Sequence, residues 1–477
     1  MQVDHQRRLV LLATAALVIS GQSGVDARAA PATENVSFTS TPGLFPDFSP
    51  RIHDYVVRCR DGPVTVEGHL SRGWEAAVGD RHFRRGDFKA TVLLRSGQAF
   101  TVIVRQVGNR RRSHDHVRCL PEDFPKYTYT RDGPVSPKYF AVTRTDRRYG
   151  MIFNNHGVPI WWIHAPINNA RVRRSGDILW FNPSGRRFEI HRLDGSLVRT
   201  LDPVGEVANV HDLQFLPHGD YLVGSKVKQD HVDTGAYGGS SDATVVHTEL
   251  QQVSPDRQLV WDWKSQDHIS LAETGRWWRF AIQQHYDVEH WNSIDPAGES
   301  VIASFRHLDA VYKIKKSTGE IVWKLGGTTT PESLEVREDP YAYTFGGQHD
   351  ARLLPDGTLT VFDNRTYLDP EAPPRAVRFA IDESTGTATL LQSITDPDVP
   401  FSDCCGSARL LSSGDWLIDW GSATDHPIGG YKPDGERTFL LTFPSHVSYR
   451  AEPVPAGVLT AKDLRRGMRA MCSSGCD

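Results

Sequence analysis

The 477-residue chain lacks any excess of charge: 54 lysines and arginines stand against 58 aspartates and glutamates, for a net −4. It therefore has no overall positive field to gather nucleic acid or anionic lipid, and the short run Arg110-Arg111-Arg112 reads as a solvated loop. Long apolar runs are also missing. After Leu9–Ile19 no stretch approaches the roughly 20 residues that a membrane-spanning helix needs. Helical periodicity is scarce too, with residues 460–471 as its one clear instance, which argues against a Rossmann or α/β-barrel enzyme. Methionine is rare at 4 residues, whereas 12 tryptophans and a 39% hydrophobic fraction supply ample apolar mass for a folded interior.

What is present begins with a leader. His5, Arg7 and Arg8 precede the apolar run, and Ala27-Arg28-Ala29 offers small residues for cleavage, so residues 1–29 read as a signal peptide and the mature protein as secreted or periplasmic. Six cysteines suit that compartment and fall into natural pairs: Cys59 with Cys119, Cys404 with Cys405, and Cys472 with Cys476. Their connectivity is left open at this level. Residues 30–125 alternate apolar and polar side chains in short segments, such as Tyr55-Val56-Val57 and Ala90–Leu94, as expected of a small β-sandwich. A bridge between Cys59 and Cys119 would tie its first strand to its last.

From about residue 138 a hairpin recurs, with Gly176, Gly219, Gly298, Gly357 and Gly414 in its turn. Each copy is followed by a second hairpin, around Gly195, Asp256, Gly319, Gly386 and Gly435. Two hairpins make a four-stranded blade, and residues 139–164, with Asn155-His156-Gly157, supply a less regular sixth copy. The expected architecture is all-β: a six-bladed propeller over residues 126–456 behind the sandwich, and a tail over 457–477 carrying a cysteine pair.

The repeat also phases three histidines. His211, His290 and His349 each lie eight residues before the hairpin glycine of their own blade, so they should meet at one end of the central channel. Arg306 lies eight residues after Gly298, and an antiparallel return brings it beside His290; the same count carries Arg365 toward His349 unless it leads into a loop. A lone histidine would be an ordinary core residue, but three in register with a cation define an anion site. A fixed guanidinium works against a metal ion beside it and suits a tetrahedral oxyanion, so neither a metal nor a cofactor is expected. Trp161, Trp162, Trp277 and Trp278 read as blade packing.

The segments around these residues resemble a known family. His211-Asp-Leu-Gln-Phe-Leu-Pro, His290-Trp-Asn-Ser-Ile, Ser304-Phe-Arg306-His and Gln348-His349-Asp-Ala-Arg, running on to Asn364, are similar to the signature segments of bacterial arylsulfate sulfotransferases, which do not use the activated nucleotide donor. The resemblance implies a nucleophilic His349 that becomes sulfohistidine in a ping-pong reaction. It implies that His211, His290 and Arg306 hold the sulfuryl oxygens, with a phenolic sulfate ester as donor and a phenol as acceptor. The amino-terminal module and Cys404-Cys405-Gly406 depart from that pattern and mark a more distant branch. Neither nucleic acid nor, after leader removal, membrane is an expected partner, and a homodimer is compatible with the sequence. A non-catalytic propeller that binds anionic or sulfated ligands or a protein is the competing reading; a sulfatase is disfavoured because the chain has no Cys-X-Pro-X-Arg segment.

Overall fold

The computed structural model describes residues 35–473 apart from 80, 145, 147, 282–285, 369–371 and 445–448. The leader and Cys476 lie outside the described residues. Strands Val36–Thr41, Pro63–Leu70 and Phe88–Leu93 form one antiparallel sheet, and Asp54–Val57, Ser113–Cys119, Ala99–Gln106 and Trp74–Val78 form a second. Their alternating burial, as in Ala99–Gln106, gives each sheet one apolar face, and the two faces share a core that includes Phe38, Val64, Val66, Val102 and Val117. This is the expected sandwich. Cys59 and Cys119 are bonded within it, but Cys59 follows the second strand, so the bridge joins second to last, two strands that also pair in parallel. Closing a loop of 60 residues restricts the unfolded chain, and a C59A/C119A variant should lose about 4 kcal/mol. Urea midpoints of the two proteins would read that loss.

Six further sheets follow, each an antiparallel meander of four strands at its core. Blade 2 spans Asn168–Leu201, blade 3 Ala208–Lys264, blade 4 Trp291–Gly326, blade 5 His349–Ile394 and blade 6 Ser407–Thr442. Blade 1 is assembled from both ends of the propeller: Tyr139–Arg144, Tyr149–Asn154 and Pro159–His164 receive Ala451–Pro453 as innermost strand. Thr128–Arg131 adds to the outer edge of blade 6. The ring is thus locked twice by segments far apart in sequence. Periodicity had revealed the six copies but not this exchange.

Blade strands are buried on both faces, as in Tyr149–Asn154 and Ser300–Phe305, because each blade packs against two neighbours. The apolar clusters lie between blades: Leu222 and Leu250 meet Val301 and Phe305 across blades 3 and 4, and Phe362 meets Trp416 and Ile418 across blades 5 and 6. Phe140 and Phe153 of blade 1 join Phe439 of blade 6 and Trp180 of blade 2 in one cluster. The helix expected near residues 460–471 runs Ala461–Met471, starting at a capping box in which Thr460 and Asp463 satisfy each other's backbone amides. It buries Leu464 and Met468 against blade 1, and its Arg465 pairs with Asp54 of the sandwich at 2.6 Å.

Candidate active site at the rim of the channel

The innermost strands of blades 2 to 5 break register at their heads, between Asn168 and Arg171, Ala208 and Leu213, Trp291 and Ser293, and His349 and Arg352. Such bulges turn side chains away from the sheet face. They coincide with left-handed backbone at Asn169, His290 and Asp350, with φ of +57°, +48° and +60°, an unfavourable conformation for residues with a Cβ that is typical of functional sites. The bulged heads carry the histidines.

The rings of His211 and His290 stand 5.2 Å apart, centroid to centroid. Tyr449 lies between His211 and His349, at 5.7 and 6.3 Å from their rings, and its hydroxyl is buried with no hydrogen-bond partner among the described residues. The Arg306 amide donates to the His290 carbonyl at 3.0 Å, which is the antiparallel return that the residue count predicts. Its guanidinium lies 4.4 Å over the Trp277 ring and donates to two neutral acceptors, His307 Nε2 at 3.1 Å and the Asp403 carbonyl at 3.0 Å. Neither acceptor is a carboxylate; burial lowers the guanidinium pKa, and the charges of nearby Asp403 and Asp309 partly offset that. Arg365, by contrast, turns away: a φ of +53° redirects the chain, Asp363 captures the guanidinium at 3.4 Å, and Tyr341 stacks on it at 3.8 Å.

Each histidine has a fixed neighbour. His290 Nδ1 is 3.0 Å from Asp287, which also pairs with Lys226 at 2.5 Å. Burial would push the Asp287 carboxyl up, but His290 and Lys226 together hold it well below the usual carboxylate range. His211 Nδ1 bonds the Asn209 side-chain oxygen. His349 Nδ1 meets Asn364 Oδ1 at 2.8 Å, while Asn364 Nδ2 donates to the Cys405 carbonyl at 3.0 Å and to Ser402 Oγ at 2.9 Å. Those two acceptors fix the orientation of the Asn364 amide, so Nδ1 of His349 carries the proton and Nε2 the lone pair. The Cys405 amide donates to that Nε2 at 3.3 Å.

Burial pushes His349 well below the ordinary histidine range, and the Arg306 charge pushes it further; burial and then His290 do the same for His211. Burial followed by His290 and Arg306 takes His307 down to about 3. His349, His211 and His307 are therefore neutral imidazoles beside a guanidinium. A cleft of about 460 Å³ opens at His211, lined by Phe181, Arg186, Asn209 and Lys226 among others. Among the described residues no cluster of His, Cys, Asp and Glu is arranged to hold a metal ion.

Beneath the rim lies an ionic hub. Arg352 reaches Asp212 at 2.7 Å and Asp350 at 2.9 Å, and Arg450 lies 3.5 Å from each of them. Asp212 and Asp350 directly follow His211 and His349 in sequence. Counting residues along one hairpin does not reveal Cys405, Tyr449 or this hub, because those contacts cross between blades, whereas Asn364 lies on the same hairpin as His349, one residue short of the position to which the count points.

The inner ends of adjacent blades thus bring imidazoles beside a guanidinium whose hydrogen bonds, among the described residues, go to neutral acceptors. The family model for arylsulfotransferase (ASST) matches residues 126–449, and the chain belongs to that family of sulfotransferases. No curated protein matches the chain. Among solved structures, a virginiamycin B lyase from Staphylococcus aureus is similar at 11% identity and a TM-score of 0.36, over 67% of this chain and 89% of that one. Kluyveromyces lactis Hsv2 is similar at 11% identity and a TM-score of 0.33, over 85% and 99%. The fold itself rests on the strand pairing. No helix among the described residues is long and apolar enough to cross a membrane.

Proposed function

We propose that the protein transfers a sulfuryl group from a phenolic sulfate ester to a phenol through a sulfohistidine at His349, in a ping-pong sequence outside the cytoplasm. The observation that carries this reading is the fixed tautomer of His349, whose lone-paired Nε2 sits in the field of Arg306. A neutral nucleophile meets an anionic ester without repulsion. Nε2 attacks sulfur, the Nε2–S bond forms, and the S–O(aryl) bond breaks with its electron pair leaving on the phenolate oxygen. Arg306 offsets the charge on the sulfuryl oxygens. His290, held through Nδ1 by the Asp287 carboxylate, donates from Nε2 to a sulfuryl oxygen and passes that proton to the departing phenolate, while the neutral His211 ring packs beside it. An acceptor phenol then loses its proton to His290 and attacks the sulfur, the Nε2–S bond breaks, and His349 is restored.

Incubation with a chromogenic aryl sulfate and a phenol tests the reading. It expects parallel lines in double-reciprocal plots at varied acceptor and a protein mass increased by one sulfuryl group when the acceptor is omitted. Saturable donor binding without product would instead support a binding propeller.

The pH dependence carries a second prediction. His349 is neutral in the folded protein well below pH 6.5, so the acid limb of the sulfurylation rate should lie well below that value. Arg306→Gln removes a charge that lowers the His349 pKa, so the limb should move up toward 6.5 while the maximal rate falls about 10²- to 10³-fold. Stopped-flow phenolate release across pH would read both.

A further inference from the structure

Resting on that reading, we propose that the Cys404–Cys405 disulfide is a positioning device, holding the Cys405 amide as a donor to the sulfuryl group on His349. The two neighbouring cysteines are bonded to each other, closing an eight-membered ring around the peptide that joins them. The carbonyl of that peptide, on Cys404, accepts the Ser422 amide at 2.9 Å, and its N–H, on Cys405, points to His349 Nε2 at 3.3 Å. Gly421 packs so closely under it that a Cβ there would collide with the Cys404 carbonyl.

The next peptide is held as well. The Cys405 carbonyl accepts Asn364 Nδ2, the amide that also orients His349, and the Gly406 amide donates to the Tyr449 carbonyl at 2.9 Å. His349, Asn364 and Cys405 thus form a closed loop: Nδ1–H to Oδ1, Nδ2–H to carbonyl, and N–H back to Nε2. Cys405 and Gly406 are both left-handed, at φ of +64° and +99°, and the covalent ring keeps a residue with a Cβ in that conformation.

The chemistry gives the loop a purpose. In the resting protein the Cys405 N–H rests weakly on the lone pair that must attack sulfur. When the Nε2–S bond forms and the S–O(aryl) bond breaks, that lone pair is consumed and the N–H is freed beside Nε2, where a sulfuryl oxygen now lies. A donor fixed before the reaction bonds the oxygen without reorganising. With the bridge opened, the peptide can rotate away from the left-handed conformation and take the donor with it.

The test is a single-turnover burst of phenolate from a chromogenic aryl sulfate, using the full chain and a C404S/C405S variant, which keeps the amide and loses the ring. The burst should slow by about ten- to hundredfold. Donor affinity, measured by calorimetry in an H349N background with and without the bridge, should change less than about twofold, since the donor acts on the transferred group. An equally fast burst, or a slower one matched by an equal loss of donor affinity, overturns the proposal. If C404S/C405S does not fold, the folded protein is treated with a phosphine, which becomes phosphine oxide as water supplies its oxygen and the two thiol protons, and alkylation maps which bridge opened. Slowing that tracks the opening of Cys404–Cys405 and reverses on reoxidation supports the device; a rate indifferent to that bridge overturns it. Absence of a burst in the unaltered protein would instead defeat the sulfuryl-transfer reading on which the device depends.

Discussion

His349→Asn should reduce aryl sulfate turnover by about five orders of magnitude, close to the full cost of removing a nucleophile. The reason is geometric. His349 is 1% exposed at the head of the inner strand of blade 5, with Nδ1 committed to Asn364, so only Nε2 can meet a donor. Arg306 and His290 would still bind the ester, and the affinity for donor should persist while release of phenolate ceases. Steady-state kinetics with intact-mass analysis separates the two, because the variant should bind donor yet gain no sulfuryl mass. Turnover close to that of the unaltered protein would assign the nucleophile elsewhere and remove His349 from the reaction.

Much of this arrangement was legible in the sequence, and the divide between what was and was not follows from how far information travels along a chain. The hairpin glycines mark local turns, so the blades and the phase of His211, His290 and His349 could be counted, and the antiparallel return placed Arg306 at the carbonyl of His290. Arg365 escaped the same count because Asp363, buried two residues earlier, captures its guanidinium. Asn364, one step before it, is the residue that meets His349. Cys405 and Tyr449 come from the next blade and from the closing segment, and no periodicity within blade 5 encodes their approach. The cysteine pair stood out as a departure from the family pattern, yet its contact with His349 needed coordinates.

The hub below the rim shows what holds the bulged heads in place, and Arg352→Met tests it. Arg352 donates to the Ile294 carbonyl at 2.7 Å besides pairing with Asp212 and Asp350, so one guanidinium joins the strands that follow His211, His290 and His349. Removing it leaves two buried carboxylates short of a partner, a loss expected to cost about 3–5 kcal/mol. The pH dependence identifies the cause. Burial alone would raise the Asp212 carboxyl, but Arg352, Arg450 and Arg171 hold it below the usual range. Asp212 therefore contributes stability that is complete above the carboxylate pKa of the unfolded chain and is lost as pH falls through its depressed folded value. Without Arg352 the folded pKa of Asp212 rises, so the gap between variant and parent, wide at neutral pH, should narrow in acid as the orphaned carboxyl takes up a proton. Urea midpoints at neutral and acidic pH measure that gap, and adding Asp212→Asn to the variant should recover part of the loss at neutral pH. A gap that is constant with pH would mean that Arg352 acts through packing alone, and that the three histidine-bearing strands are held in register by something other than charge.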